Sequence, residues 1–265
     1  MTELRQRRVL MVRRHAPDLV ELTVEADGAD EAPTPGQFYQ LHPKASLQAW
    51  LPRPMSYFRR GRGYLSFYFR IVGEGTAELA RLGPGDRLRT LGPLGRGFPL
   101  DRPGPHLLLG GGVGVAPLWD LARSLAAQGE DVVVAIGGRS AAEVRVAESF
   151  QPFASVTVTT EDGSAGRPGL VTDLLEEVLA GRARRPATVY ACGPLPMLRK
   201  VGSFVRDKGL EGWGIEGYLA LETTMACGFG ACLGCAVPRA RREEGKHYLK
   251  LCSEGPVVAC REVVL

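Results

Sequence analysis

The chain is poor in lysine, in histidine and in long apolar runs. Only five of its 33 basic residues are lysine, and with 29 acidic residues the net charge is +4. It has no polybasic segment, so no nucleic-acid partner is expected. No apolar run approaches the roughly 20 residues of a membrane-spanning helix, so no membrane partner is expected either. Residues 1–14 alternate charged and apolar side chains without the apolar core of a signal peptide. The four histidines, His15, His42, His106 and His247, are scattered without metal-like spacing and read as structural or surface residues. Internal repeats and low-complexity tracts are absent as well. What remains is a chain of 265 residues, 45% hydrophobic, long enough for two or more cores.

Against these shortages stands one concentration. Cys227, Cys232 and Cys235 follow a C-x4-C-x2-C spacing, and Cys252 follows after 16 intervening residues. This is the plant-type ferredoxin spacing for a [2Fe–2S] cluster, which needs two thiolates on each iron. Gly228, Gly230 and Gly234 are interleaved with the cysteines and let the loop bend around the cluster. A structural zinc site normally shows two separated C-x2-C pairs, and here there is one. Cys260 also lies downstream, so the spacing leaves the fourth ligand between Cys252 and Cys260, with Cys252 favoured. Four ligand-like thiols among six cysteines fit a reducing cytoplasm.

The rest of the chain divides by pattern. Short alternating runs at 8–13, 19–25, 37–41, 65–71 and 86–91, punctuated by Pro and Gly, predict a small antiparallel barrel with one helix over 76–82 capped by Thr76. Apolar strands at 106–109, 132–136, 156–159 and 188–191 alternate with helices at 117–128, 141–150, 170–180 and 197–208. That is the βαβ pattern of a parallel sheet. The expected fold class is therefore α+β multidomain, with a β-barrel domain at 1–101, an α/β domain at 102–215 and a small cluster domain of short strands and loops at 216–265.

Two sets of motifs suggest nucleotide cofactors. Arg53-Pro54-Met55-Ser56 and Gly73-Glu74-Gly75-Thr76 lie in the barrel region. An arginine beside a hydroxyl can clamp a diphosphate and reach a flavin ring, and a glycine turn at a helix start offers N–H groups to the same phosphates. Taken singly, each is equally an exposed arginine before a turn or a plain helix cap. Gly110-Gly111-Gly112-Val113-Gly114 joins a strand to a helix, with Pro117 in its first turn. The third glycine of the dinucleotide fingerprint is missing, and no acidic residue ends the second strand. Cys192-Gly193-Pro194 ends another strand, at the edge where open α/β sheets bind ligands, although a buried cysteine before a turn reads the same way. Arg139 and Ser140 suit a 2′-phosphate or a solvated loop, which leaves NAD and NADP undistinguished.

In this order, together with Leu221–Cys235 and Leu251-Cys252-Ser253-Glu254-Gly255-Pro256-Val257, the motifs resemble the ferredoxin-reductase-like flavoproteins. Within them they resemble the electron-transfer subunits of two-subunit, NAD-dependent dihydroorotate dehydrogenases. The resemblance implies FAD, a [2Fe–2S] cluster and NAD as cofactors. It carries Arg53, Pro54, Met55, Ser56, Arg70, Ile71, Val72, Gly75 and Thr76 to FAD. Gly110, Gly111, Gly112, Gly114, Cys192, Gly193 and Pro194 go to the nicotinamide nucleotide, and Cys227, Cys232, Cys235 and Cys252 to the cluster, leaving Cys260 an extra thiol. It implies an FMN-containing catalytic partner in pyrimidine biosynthesis, two copies of each subunit, and no catalytic residue for dihydroorotate in this chain. The cysteine loop is expected near an apolar interface. Thr223-Thr224 and the basic stretch 239–246 depart from the expected pattern. A subunit of another flavin/iron–sulfur oxidoreductase, such as a ferredoxin:NADP reductase complex, and a zinc-stabilised nucleotide-sensing protein are the alternatives.

Overall fold

The computed structural model describes residues 3–27, 32–43, 51–180, 187–243 and 246–265. The departing stretch 239–246 therefore lies partly outside the described residues. Strands β1 (Glu3–Ala16), β2 (Leu19–Glu25), β3 (Phe38–His42), β4 (Arg53–Gly61), β5 (Tyr64–Arg70) and β6 (Arg87–Leu94) close an antiparallel barrel in the order β1-β2-β5-β4-β3-β6. The period-two alternation of a strand decides which side chains face inward. Val20, Leu22 and Val24 of β2 meet Leu65, Phe67 and Phe69 of β5 in one core with Tyr39 and Leu41. None of the alternating runs covers 53–61, where Met55, Tyr57 and Phe58 do not alternate regularly. The structure makes β4 there, with Pro54 second in the strand and opposite Gln40, near the end where a missing N–H is tolerated.

Helix α1 spans Glu74–Arg81 rather than 76–82, and Gly73, not Thr76, is its N-cap. Thr76 sits inside the first turn. Its Oγ1 accepts from the backbone N–H groups of Val72 (2.9 Å) and Gly73 (3.1 Å) and donates to the Gly73 carbonyl (2.8 Å). A hydroxyl folded back in this way closes the turn from within.

The second layer system holds β7 (His106–Gly111), α2 (Ala116–Ala127), β8 (Val132–Gly138), α3 (Ala141–Val144), β9 (Ser155–Thr160), β10 (Arg167–Pro168), α4 (Leu175–Ala180), β11 (Ala187–Cys192), α5 (Leu195–Leu210) and β12 (Ile215–Ala220). A hairpin of β13 (Ala236–Glu243) and β14 (Lys246–Lys250), the single turn α6 (Leu251–Glu254) and strand β15 (Val257–Ala259) follow. The large sheet runs β10-β9-β8-β7-β11-β12-β15, parallel except for β15. The cysteine segment thus leaves the sheet after β12 and returns to it at β15. The expected helices at 141–150 and 170–180 each divide into a 3₁₀ turn and a short α-helix. At 171–174, β-branched Val171 and Thr172 and a bond from the Leu170 N–H to the Asp173 carboxylate (3.0 Å) favour the tighter turn.

Barrel and sheet are joined through α2. Buried Asp120 accepts hydrogen bonds from Tyr57 Oη (2.7 Å) and Arg60 Nε (2.8 Å) of β4 and from Arg123 Nε (2.8 Å) of its own helix. Around it the outward faces of Phe58 and Tyr68 pack on the α2 side, and the Arg59 guanidinium lies over the rings of Phe58 and Trp119. No helix among the described residues is long and apolar enough to cross a membrane.

Candidate cofactor and cluster site

Two adjoining cavities open where the barrel meets the C-terminal edge of the sheet. The smaller, about 260 Å³, lies against the barrel; its walls include Pro54, Met55, Ser56, Arg70, Val72 and Thr76, with Val113 from the sheet and Thr223 and Met225 from the cysteine segment. Tyr68 also lines it, and its buried Oη has no hydrogen-bond partner among the described residues. A buried hydroxyl without a partner is costly, and a ligand in this cavity would supply one. Arg53 does not line the cavity but lies over α1. A Cβ on Gly75 would stand 2.4 Å from the Arg53 guanidinium, so only glycine lets the arginine sit on the helix start. The first N–H groups of that helix have no intrahelical acceptor, and with Arg53 they form an anion-binding corner. Ile71 packs against the barrel core instead.

The larger cavity, about 660 Å³, covers the C-terminal ends of β7, β8, β9 and β11. Gly111, Gly112, Gly114, Gly193 and Pro194 line it. β7 neighbours β8 on one side and β11 on the other, and the crevice at such a reversal of strand order is where open α/β sheets bind ligands. A Cβ on Gly114 would stand 2.4 Å from the Cys192 carbonyl oxygen, so the glycine loop and the β11 end touch backbone to backbone. Gly112, at φ 56, faces open space on the cavity side. Gly110 and Cys192 lie behind this surface; burial, followed by the nearby Glu222 charge, holds the Cys192 thiol well above its ordinary pKa.

Arg70, Val113 and Glu222 line both cavities. Arg70 is bonded to Asp18 and pairs with Glu143 at 2.9 Å. Arg139, considered above for a 2′-phosphate, donates Nε to Glu143 at 2.7 Å. Glu222 is open to the cavity yet walled in by protein on its other sides, and this recess holds its carboxyl above the usual range. Pattern reading missed Tyr68, Glu143 and Glu222 as site residues. Only the i, i+4 spacing of Arg139 and Glu143 offered a sequence signal.

The four cysteines meet in two pairs. Cys235 and Cys252 Sγ atoms lie 3.2 Å apart, and the Cys252 N–H points at Cys235 Sγ at 3.4 Å. Cys227 interacts with the Cys232 thiol, and its charge also reaches Cys252. Partial burial raises the Cys227 thiol, but N–H groups of Cys232, Phe229 and Ala231 outweigh this and bring it to about 6. Burial and then Cys235 push Cys252 up to about 12. A cation between the pairs would relieve that opposition, because a coordinated thiol is deprotonated. Thiols paired two by two, with backbone N–H groups aimed at sulfur, fit a two-iron cluster. Among the described residues no three His, Cys, Asp or Glu side chains converge as a single metal ion requires. Cys260 stands apart at the β12–β15 edge, its thiol raised to about 12 by burial.

Comparison with known proteins agrees with this geometry. Residues 222–264 match the iron–sulfur cluster binding domain of dihydroorotate dehydrogenase B, and residues 108–202 match the oxidoreductase NAD-binding domain. The dihydroorotate dehydrogenase B (NAD(+)) electron transfer subunit of Bacillus caldolyticus is 40% identical over 250 residues, 92% of each chain. The chain belongs to this family. The corresponding subunit of Fusobacterium nucleatum is 34% identical over 253 residues, covering 94% of this chain and 93% of its own. Among solved structures, the NADH-dependent reduced ferredoxin-NADP oxidoreductase superposes with a TM-score of 0.84 at 25% identity, over 97% of this chain and 89% of that one. The ferredoxin reductase of carbazole 1,9a-dioxygenase superposes with a TM-score of 0.68 at 23% identity, over 82% and 69%, and shares the fold.

Proposed function

We propose that this chain is the electron-transfer subunit of an NAD-linked dihydroorotate dehydrogenase, an oxidoreductase component acting in pyrimidine biosynthesis. When bound, a [2Fe–2S] cluster carries single electrons, a flavin exchanges them for pairs, and NAD⁺ accepts a hydride. The protein's task is to hold these groups in line. Cys227, Cys232, Cys235 and Cys252 would hold the cluster. Arg53, Ser56, Thr76, the α1 start and the unpartnered Tyr68 hydroxyl bind FAD, with Pro54, Met55, Arg70 and Val72 along its wall and Ile71 and Gly75 shaping the backbone. Gly110–Gly114 and Cys192–Pro194 border the nicotinamide nucleotide. Val113 lines both cavities, so their occupants would meet beside it.

The observation that carries this reading is the paired thiols at the end of a segment that also walls the flavin cavity. Electrons enter from an FMN-containing catalytic subunit, which does the dihydroorotate chemistry. Phe229 and Leu233, 63% and 61% exposed on the cysteine loop, support docking of that subunit here. Two copies of each subunit, a cytoplasmic setting, and the segments 1–101, 102–215 and 216–265 as flavin, nucleotide and cluster domains complete the proposal.

Anaerobic purification with iron, zinc and flavin analysis tests it. About two irons and one FAD per chain are expected, and NAD⁺ reduction by dihydroorotate only when the catalytic subunit is added. The likeness to the ferredoxin-NADP oxidoreductase favours a second reading, a subunit of such a complex. It would be chosen if reduced ferredoxin, and not dihydroorotate, supplied the electrons. Bound zinc without iron or flavin would defeat both.

A further inference from the structure

Gln40 lies on β3, fully buried. Its neighbours Tyr39 and Leu41 face the barrel core, so Gln40 faces outward, toward the cysteine segment. Gln40 Nε2 donates to the Met225 carbonyl at 2.5 Å, a buried bond between residues 185 apart in the chain. The same side chain packs on Gly228, where a Cβ would stand 2.9 Å from Gln40 Cγ. Gln40 therefore grips the chain two residues before Cys227 and one residue after it. Phe38, on the same face of β3, belongs to one apolar cluster with Met225, Cys235 and Cys252.

A leucine would bury as well at position 40 and would spare the cost of Gln40 Oε1, which has no partner among the described residues, but it would take the donor away from the Met225 carbonyl. What the amide adds is the bond to Met225. Residues 221–235 form neither helix nor strand, so their position depends on such side-chain contacts. Met225 lines the flavin cavity, and two residues of chain span at most about 7 Å. The seat of Met225 thus sets how far the Cys227 thiolate stands from the flavin wall.

We propose that Gln40 is a positioning residue that pins the cluster loop to the flavin barrel and so sets the electron-transfer distance between them. This rests on the electron-transfer reading above. Electron tunnelling weakens exponentially with distance and hydride transfer from NADH does not involve this loop, so the two steps separate.

The test uses the full chain loaded with FAD and cluster, mixed with NADH, with flavin reduction followed by absorbance and cluster reduction by freeze-quench EPR. In Gln40→Leu the flavin step should keep its rate, and the cluster step should slow severalfold, with a broadened cluster EPR signal. Gln40→His, which retains an N–H donor, should recover most of the rate and the narrow signal. Loss of iron with flavin retained in Gln40→Leu, and not in Gln40→His, would equally support the pin. Unchanged cluster reduction and EPR in Gln40→Leu overturn the proposal. If Gln40→Leu fails to fold, Gln40→Met carries the same comparison. A wild-type chain without iron and flavin defeats the functional reading instead, before any variant is compared.

Discussion

Two glycine-rich loops serve this molecule, and they are built on opposite principles. The loop at Gly110–Gly114 is held by backbone packing: Gly114 abuts the Cys192 carbonyl, and Val115 and Ala116 beyond it are buried. Its shape is complete without a ligand. The loop at Cys227–Cys235 has no regular structure, exposes Phe229 and Leu233, and holds Leu233 at φ 59, a left-handed conformation that costs a branched residue energy. Of its three thiols only that of Cys235 is buried, and it lies against the Cys252 thiol, whose protonated form it favours. The first loop is a mould fixed by the sheet, and the second draws its order from a cluster and a few barrel contacts. A nucleotide that comes and goes needs a preformed crevice, whereas a resident cluster can supply part of the folding energy of its own site.

The contrast can be broken most severely at the cysteines. Cys252→Ser should reduce bound iron from about two per chain to near none, with flavin content and sheet stability retained. Cys260→Ser should leave iron unchanged, and equal loss from both variants would mean the fourth ligand is misassigned. On the rigid side, Asp120→Ala should cost about 1–3 kcal/mol of unfolding free energy by denaturant titration, because Tyr57, Arg60 and Arg123 lose the carboxylate they donate to. Gly114→Ala should cost about 1–3 kcal/mol and weaken NADH binding in calorimetry, since backbone must move to admit the methyl. The cluster spectrum should not change, and if it did the two loops would be mechanically coupled.

The smallest effect is one of pH. Burial, opposed in part by Glu130, holds His106 below its ordinary pKa. Below 6.5 the unfolded chain therefore binds a proton that the folded chain refuses. Stability rises with pH through that window and is lost on acidification, with no contribution above it. Denaturant midpoints at pH 7.5 and 5.5 should differ less in His106→Gln than in the wild type. An equal difference would assign the acid sensitivity of that window to groups other than His106; the buried Glu21 carboxyl acts only at lower pH. Although burial alone would raise it, its bond with His15 leads the contacts that lower it, so Glu21 adds stability that fades near pH 4 and below.

Much of this was legible in the residues alone. The cysteine spacing, the glycine loop and the alternation of strands and helices are local patterns, and local patterns survive in one dimension. Strand β4 was not legible as an alternating run, because Arg53–Gly61 does not alternate apolar and polar residues. Val257–Ala259 is too short to announce itself as the last strand of a seven-stranded sheet. Tyr68 read as one more aromatic of β5, and only the cavity revealed its unpartnered hydroxyl.

The sequence by itself determined three candidate ligands of the cluster, the order of the modules and the kinds of cofactor, because these follow from residue type and spacing, and it left the fourth ligand between Cys252 and Cys260. The tertiary structure alone decided which partners those residues meet. It gave Arg70 to Glu143, made Arg70 a member of both cavities, and brought Gln40 to Met225 across 185 residues. The physical reason is range. Spacing along a chain encodes contacts within a turn or a strand, and the meeting of distant surfaces is fixed only when the barrel and the sheet have closed on each other.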